Sequence, residues 1–296
     1  MAKALPMSLL QFQKEFSTEE HCANYLAHKR WKNGFVCSKC KHDTYYYIQT
    51  RQLYECQACH YQTSVTAGTL LHKTKLPLTT WFWAFYLVAH DKRGKPALSL
   101  SQILGLNYRT AQRMMRKIRA AMADREDQYK LSGTVDMDDA YFGAPRKGKD
   151  GRGTDKAKAV IALSKDKKNR PQYLRIQVIK SVSSEEIKRV AHKLVEPGSL
   201  IVSDGHSSYK PLAKEGFQHE PKVYYKEDEE KFLKSLHTVI SNIKAFIQGT
   251  FHGLGAKYIQ SYFDEFCFRF NRRFDPNQIF DRLLNVCEWT GPHPQP

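Results

Sequence analysis

The chain has 296 residues, 41% of them hydrophobic, which is too long for one small domain and too apolar for a disordered tail; two or three folded units are expected. Its 47 Lys and Arg against 30 Asp and Glu leave a net charge of +17, a footprint that attracts a polyanion and favours nucleic acid over an acidic membrane surface. The longest apolar run, residues 81–89, falls far short of the ~20 residues that span a bilayer, and no signal-peptide pattern opens the sequence. A cytoplasmic protein with no membrane partner is therefore expected.

In chain order, residues 1–34 read as helical, with Phe12, Phe16, Tyr25 and Leu26 at apolar positions and a capping-box pattern opening at Ser17. Next come Cys37, Cys40, Cys56 and Cys59, two CxxC pairs separated by fifteen residues. That spacing lets two tight knuckles deliver four thiolates to a tetrahedral Zn²⁺, which leaves His42 and His60 spare. Seven cysteines with four so placed suit a reducing compartment, and Cys22, Cys267 and Cys287 are expected in the core. Tyr45, Tyr46, Tyr47 and Tyr54 fit ribbon packing better than base stacking. The run after Pro77 reads as a buried helix stopped at Gly94. Beyond it, a short helix, a turn at Gly105 and a longer helix with Ala111, Met114, Met115 and Ile118 on one stripe have helix-turn-helix spacing. The longer helix carries Arg109, Arg113, Arg116, Lys117 and Arg119, which could lie against phosphates or in a major groove.

From about residue 132 the pattern changes to strands: TVDMDDAYF, AVIALS and YLRIQVIKS, then the helical SSEEIKRVAHKLVE and the strand SLIVSDG. This order predicts a mixed α/β sheet covered on its faces. The basic, Gly-rich APRKGKDGRGTDKAK between the first two strands reads as a phosphate-contacting loop. Residues 228–289 read as mainly helical, and the tail GPHPQP as frayed.

Strand alternation puts Asp136 and Asp138 on one face, where carboxylates are costly unless solvated or bound to cations. Asp204 ends an apolar strand at the carboxyl edge, where α/β sheets expose ligand sites, although Asp before Gly is also an ordinary turn former. On the later helix His237 and Lys244 share a face, Lys244 roughly 10 Å beyond His237 at ~1.5 Å per residue. Carboxylates of this kind could hold two hard cations for phosphodiester chemistry, with His237 reaching the metals and Lys244 holding DNA. Glu265, Arg269 and Arg272 repeat the i, i+4, i+7 geometry and fit either a DNA contact or a salt-bridged brace.

These motifs, with FSTEEHCANYL, TAGTLLHKTKLPLTTWFWA, SDGHSSY, HTVISNIK and YFDEFCFRFNRR, make the sequence resemble the zinc-ribbon insertion-sequence transposases of the ISXO-like group. These are members of the DDE superfamily with an RNase H-like core. The resemblance implies Asp138 as first catalytic residue, with Asp139 where the family usually has Glu, Asp204 as second and His237 as third, followed by Lys244. Asn242 is the competing third residue. Structural Zn²⁺ and catalytic Mg²⁺ or Mn²⁺ are the implied cofactors. Double-stranded DNA, as terminal inverted repeats and target, is the implied partner, with Arg109, Arg113, Arg116, Lys117, Lys244, Arg269 and Arg272 binding it. Synapsis of two ends implies a homodimer or higher assembly. The expected division is a helical and zinc-ribbon region over 1–75, a helix-turn-helix region over 76–130, an RNase H-like core over 131–285 and a tail over 286–296. A catalytically dead DNA-binding regulator and an RNase H-like nuclease without strand transfer are the alternatives.

Overall fold

The computed structural model describes residues 7–143, 156–222, 233–251, 254–275 and 278–292; most of the basic loop expected between the first two core strands lies outside them, as does most of the GPHPQP tail. The chain divides into two compact units, residues 1–121 with 275–296, and residues 122–274. No helix among the described residues is long and apolar enough to cross a membrane.

The first unit opens with helix α1 (Leu9–Glu15), whose capping box is at Ser8: its hydroxyl accepts from Gln11 N at 3.2 Å and Gln11 Oε1 accepts from Ser8 N at 2.8 Å. The box expected at Ser17 does not form. Helix α2 (Glu19–Arg30) is instead capped by Thr18, whose Oγ1 accepts from His21 N at 3.1 Å, because the extended Thr18 puts His21 rather than an acid or amide at the reciprocal position. The zinc-ribbon region follows as a small antiparallel sheet of β1 (Tyr45–Ile48), β2 (Leu53–Cys56) and β3 (Gln62–Thr63). Helix α3 (Leu78–His90) is apolar on nearly every side and correspondingly buried. It starts after Pro77, which cannot cap it, and Glu19 does so instead, accepting from Leu78 N and Thr79 N at 2.8 Å each. Helix α4 (Ala97–Leu104), a turn with Gly105 at φ 62°, and α5 (Tyr108–Glu126) realise the helix-turn-helix order. The apolar stripe of α5, with Ala111, Met114, Met115 and Ile118, is fully buried.

The second unit is built on a five-stranded sheet of β4 (Thr134–Phe142), β5 (Ala157–Lys165), β6 (Pro171–Ile179), β7 (Leu200–Asp204) and β8 (Gln218–Lys222). The order across it is β6-β5-β4-β7-β8; β5 runs antiparallel to its neighbours, and β7 and β8 run parallel to β4. The turn Ser207–Lys214 and strand β8 went unanticipated: β8 reads QHEPK and is mostly exposed, so it has no apolar pattern. One sheet face, with Val135, Met137 and Ile201, packs on α6 (Ser184–Leu194). The other, with Ala140, Phe142, Ile161 and Val202, packs on α7 (Lys234–Thr250) and α8 (Ile259–Phe270). The last helix, α9 (Ile279–Trp289), belongs to the first unit, where it packs on α3. Phe280 there meets Phe12, Phe16, Phe82 and Tyr86.

Strand β6 lies at the edge of the sheet, and its outward backbone groups bond to side chains from α8 and the residues just after it. Gln260 accepts from Val178 N at 2.7 Å and donates to Ile176 O at 3.0 Å. Asn271 likewise accepts from Leu174 N at 2.7 Å and donates to Leu174 O at 3.0 Å. Arg273 completes the row, donating to Gln172 O at 2.8 Å and Pro171 O at 2.5 Å. Two amides and a guanidinium thus supply what a sixth strand would.

Asp264 sits beside Gln260, accepting from its Nε2 at 2.8 Å, and burial pushes its carboxyl up to about 7 despite that bond. A carboxyl raised above its ordinary value of about 3.9 favours the folded state below that value, and the contribution is lost as pH rises through 7. Denaturation midpoints of the protein are expected to fall between pH 4 and 8, and Asp264→Asn to flatten that dependence while raising the midpoint at pH 8.

Candidate catalytic cluster and zinc site

In the ribbon two knuckles repeat one geometry. Cys37 N donates to His42 O at 2.8 Å and Lys41 N to Cys37 O at 3.0 Å; Cys56 N donates to Tyr61 O and His60 N to Cys56 O, both at 3.0 Å. Each turn closes through a left-handed residue directly after its second cysteine, Lys41 at φ 66° and His60 at φ 55°. The four sulfurs all lie within 4.8 Å of one another, with Cys37 to Cys59 at 3.7 Å and Cys40 to Cys56 at 3.5 Å. A tetrahedron with Zn–S ~2.3 Å has S···S edges of about 3.8 Å, so the donor set fits Zn²⁺. Both histidines point elsewhere, His42 to Thr44 at 2.7 Å and His60 to Glu55 at 3.4 Å. The ribbon aromatics pack on one another: Tyr45 and Tyr47 each meet Tyr54 at 5.0 Å, while Tyr46 points outward, 60% exposed.

The carboxylates lie on the central strand of the second unit. Asp136 and Asp138 share the α7 face of β4, but their surroundings differ sharply. Asp136 is 1% exposed and paired with Lys165 Nζ at 2.7 Å. Burial pushes its carboxyl up, with Lys165 opposing. Asp138 is nearer the strand's carboxyl end and half-buried; its Oδ1 accepts from Asp139 N at 2.8 Å, and its Oδ2 lies 3.4 Å from His237 Nε2. Parallel pairing of Met137 with Ser203 brings Asp138 beside Asp204 at the end of β7. Burial first, then the charges of Asp139 and Asp204, push Asp138 up to about 6. Negative charge crowded into a poorly hydrated pocket is what a bound divalent cation relieves. Among the described residues, the four ribbon cysteines are the group of three or more potential ligands whose atoms all lie within 4.8 Å of one another; the carboxylate cluster is not drawn together that tightly.

Helix α7 turns Leu236, Val239, Ile240 and Ile243 into the core and leaves His237 and Lys244 exposed on its solvent side. Asn242 is about 140° round the helix from His237 at 100° per residue and lines a separate groove with Thr238 and Arg273. Of the two candidates for a third residue, His237 is the one beside Asp138.

The expected DNA-binding cations divide. Arg109, Arg113 and Arg116 are exposed along one face of α5. Lys117 departs from expectation: its ammonium donates to Leu70 O at 3.2 Å and lies 6.0 Å over Trp81, because its helical position faces the core. Arg269 and Arg272 also turn inward, which favours the salt-bridged brace of the two readings the sequence allowed. Arg269 pairs with fully buried Glu265 at 2.8 Å, and Arg272 stacks on Phe268 and pairs with buried Glu126 at 2.5 Å. Asn271 joins the same carboxylate at 2.5 Å, and Arg175 donates to Glu126 O, Tyr129 O and the Asp127 carboxylate. Lys165 was missed; its only signal was its place at the end of an apolar strand paired with the Asp-bearing one.

A sheet of this order, with carboxylates meeting at the ends of its adjacent parallel strands, defines an RNase H-like core. The ISXO2-like transposase domain matches residues 130–271 and the transposase zinc-ribbon domain residues 17–62, so the chain carries a transposase zinc ribbon followed by an ISXO2-like transposase domain. An uncharacterized protein in transposable element ISH50 of Halobacterium salinarum is 26% identical over 219 residues, 67% of this chain and 71% of that protein. Among solved structures, the catalytic core domain of BIV integrase is 12% identical, covering 46% of this chain and 82% of that one, with a TM-score of 0.30. The Mos1 strand transfer complex is 12% identical, covering 72% and 79%, with a TM-score of 0.26. The fold assignment rests on strand order rather than on these distant superpositions.

Cys40→Ser is expected to release zinc and unfold the ribbon, read as metal content by atomic absorption and as protease sensitivity of residues 37–63. Arg272→Ala strands Glu126 in the interior and is expected to cost about 3 kcal/mol in urea denaturation. If Arg272 contacted DNA instead, the variant would lose DNA affinity and keep its stability.

Proposed function

We propose that the protein binds the terminal inverted repeats of its own element, hydrolyses a strand at each end and joins the freed 3′-hydroxyl to target DNA. The observation that carries this reading is the meeting of Asp138, Asp204 and His237 at one end of an RNase H-like sheet. In the first step a water oxygen attacks the phosphorus and the bond to the 3′-oxygen breaks, leaving a 3′-hydroxyl. In the second, that hydroxyl oxygen attacks a target phosphorus and displaces the target's own 3′-oxygen, so the number of phosphodiester bonds is conserved. Asp138, Asp204 and His237 would hold Mg²⁺ or Mn²⁺, which would activate the attacking oxygen and stabilise the leaving one. Lys244, exposed on α7, would hold a phosphate. The zinc ribbon and the face of Arg109, Arg113 and Arg116 would recognise the ends. Two ends must be joined in one event, so at least a homodimer is implied.

Asp136 is excluded from metal binding in this reading because Lys165 already neutralises it. Two Asp and a neutral imidazole bring a formal charge of −2, one unit less than two Asp and a Glu. Imidazole also suits transition metals better than Mg²⁺. In a labelled-end cleavage assay, higher activity with Mn²⁺ than Mg²⁺ is expected. Asp138→Asn or Asp204→Asn is expected to reduce cleavage to background with gel-shift binding intact, and His237→Glu to keep partial activity shifted towards Mg²⁺. A dead Asn242→Ala beside a fully active His237→Ala would transfer the third role to Asn242.

A further inference from the structure

The groove lined by Asn242 has no part in the chemistry above. It has a volume of about 900 Å³ and runs between α7, the end of α8 and the turn joining β5 to β6, all within the second unit. Arg170, Lys234 and Arg273 line it, with Thr238 and Asn242 as polar groups, and among the described residues no Asp or Glu lines it. Arg170 is tied to Asp166 at 2.6 Å yet its side chain stays 67% exposed.

The aromatic end of the groove is more specific. Phe274 is 61% exposed, and an exposed Phe alone would mean little. Here it lies against the guanidinium of Arg273, 4.1 Å from its ring centroid, and that guanidinium also lies 3.8 Å from the Phe270 ring. Arg273 cannot swing out to meet a ligand, because its nitrogens already donate to Pro171 O, Gln172 O and Phe270 O. The result is a fixed pile of two rings and a cation that presents one bare aromatic face beside Lys234 and Arg170.

A flat π-face flanked by cations matches a nucleic-acid strand whose bases are unstacked, since a duplex presents phosphates but keeps its base faces covered. An acidic peptide would use the cations and leave the ring idle. We propose that this groove takes an unpaired stretch of DNA strand, with a base stacked on Phe274 and phosphates beside Lys234 and Arg170. The proposal rests on the DNA-transposase reading and adds to it a second strand-binding site on a different face of α7 from His237.

The test is fluorescence anisotropy with the full zinc-loaded chain and no added Mg²⁺ or Mn²⁺, using a labelled 12-nucleotide oligo(dT) and a blunt 20-base-pair duplex. Phe274→Ala is expected to weaken oligo(dT) binding about tenfold, as loss of one base stack implies. Duplex affinity is expected to stay within about twofold, and Phe274→Trp to restore the oligo(dT) value. Lys234→Glu is expected to weaken oligo(dT) more than duplex. Circular dichroism melting of each variant separates misfolding from lost contact. Equal loss on both probes, no loss with Phe274→Ala, or displacement of oligo(dT) by polyglutamate as readily from the wild type as from Phe274→Ala would overturn the groove assignment. Failure of the wild-type chain to bind either probe would instead strike the DNA reading itself.

Discussion

Carboxylates on the central strand of a sheet covered on both faces are the constraint that the catalytic unit is arranged around. A charged Asp in such a place loses its hydration, and the penalty must be offset by a cation or by an opening to solvent. The two acids of β4 meet it in the two different ways. Asp136, deeper, is matched by Lys165 across the β4–β5 pair and becomes structural. Asp138, one step nearer the strand's end, keeps its excess charge, shares the pocket with Asp204 and faces His237. Parallel pairing of β4 with β7 is what makes that meeting possible, since only parallel neighbours bring two carboxyl ends to one edge of the sheet.

The same logic of matched burial runs through the far side of the unit. Buried Glu126 and Glu265 are answered by Arg272 and Arg269, and buried Arg175 by the exposed Asp127, so each buried charge of the row has a partner. Such a row adds little net stability over apolar packing, but losing one member leaves its partner charged and dry. It holds α8 on β6, and α8 in turn packs on the helix that carries His237.

Much of this was legible in the sequence, for reasons that can be named. The CxxC spacing reports a metal knuckle directly because four ligands at fixed separations have few other uses, and alternation along TVDMDDAYF put Asp136 and Asp138 on one face. What alternation cannot report is depth, so nothing in the pattern distinguished the acid that Lys165 would neutralise. Charge is visible in a sequence and direction is not: Lys117, Arg269 and Arg272 lie in basic helical stretches like Arg113, yet all three turn inward. The cap on α2 moved from Ser17 to Thr18 because two hydroxyl residues in succession offer the same signal. Strand β8 and the return of α9 to the first unit were hidden because one lacks apolar residues and the other depends on a partner about 200 residues away in the chain, beyond any local pattern.

The amides of Gln260 and Asn271, which occupy the outer backbone groups of β6, bear on how copies of this chain can meet. An open strand edge is a template on which another chain can add backbone to backbone, a route that leads to aggregation and is slow to reverse. With β6 sealed by the Gln260 and Asn271 side chains, that route is closed on this side of the sheet. Any association of copies on this flank would then fall to side-chain surfaces, whose contacts can form and dissolve without unzipping a ladder.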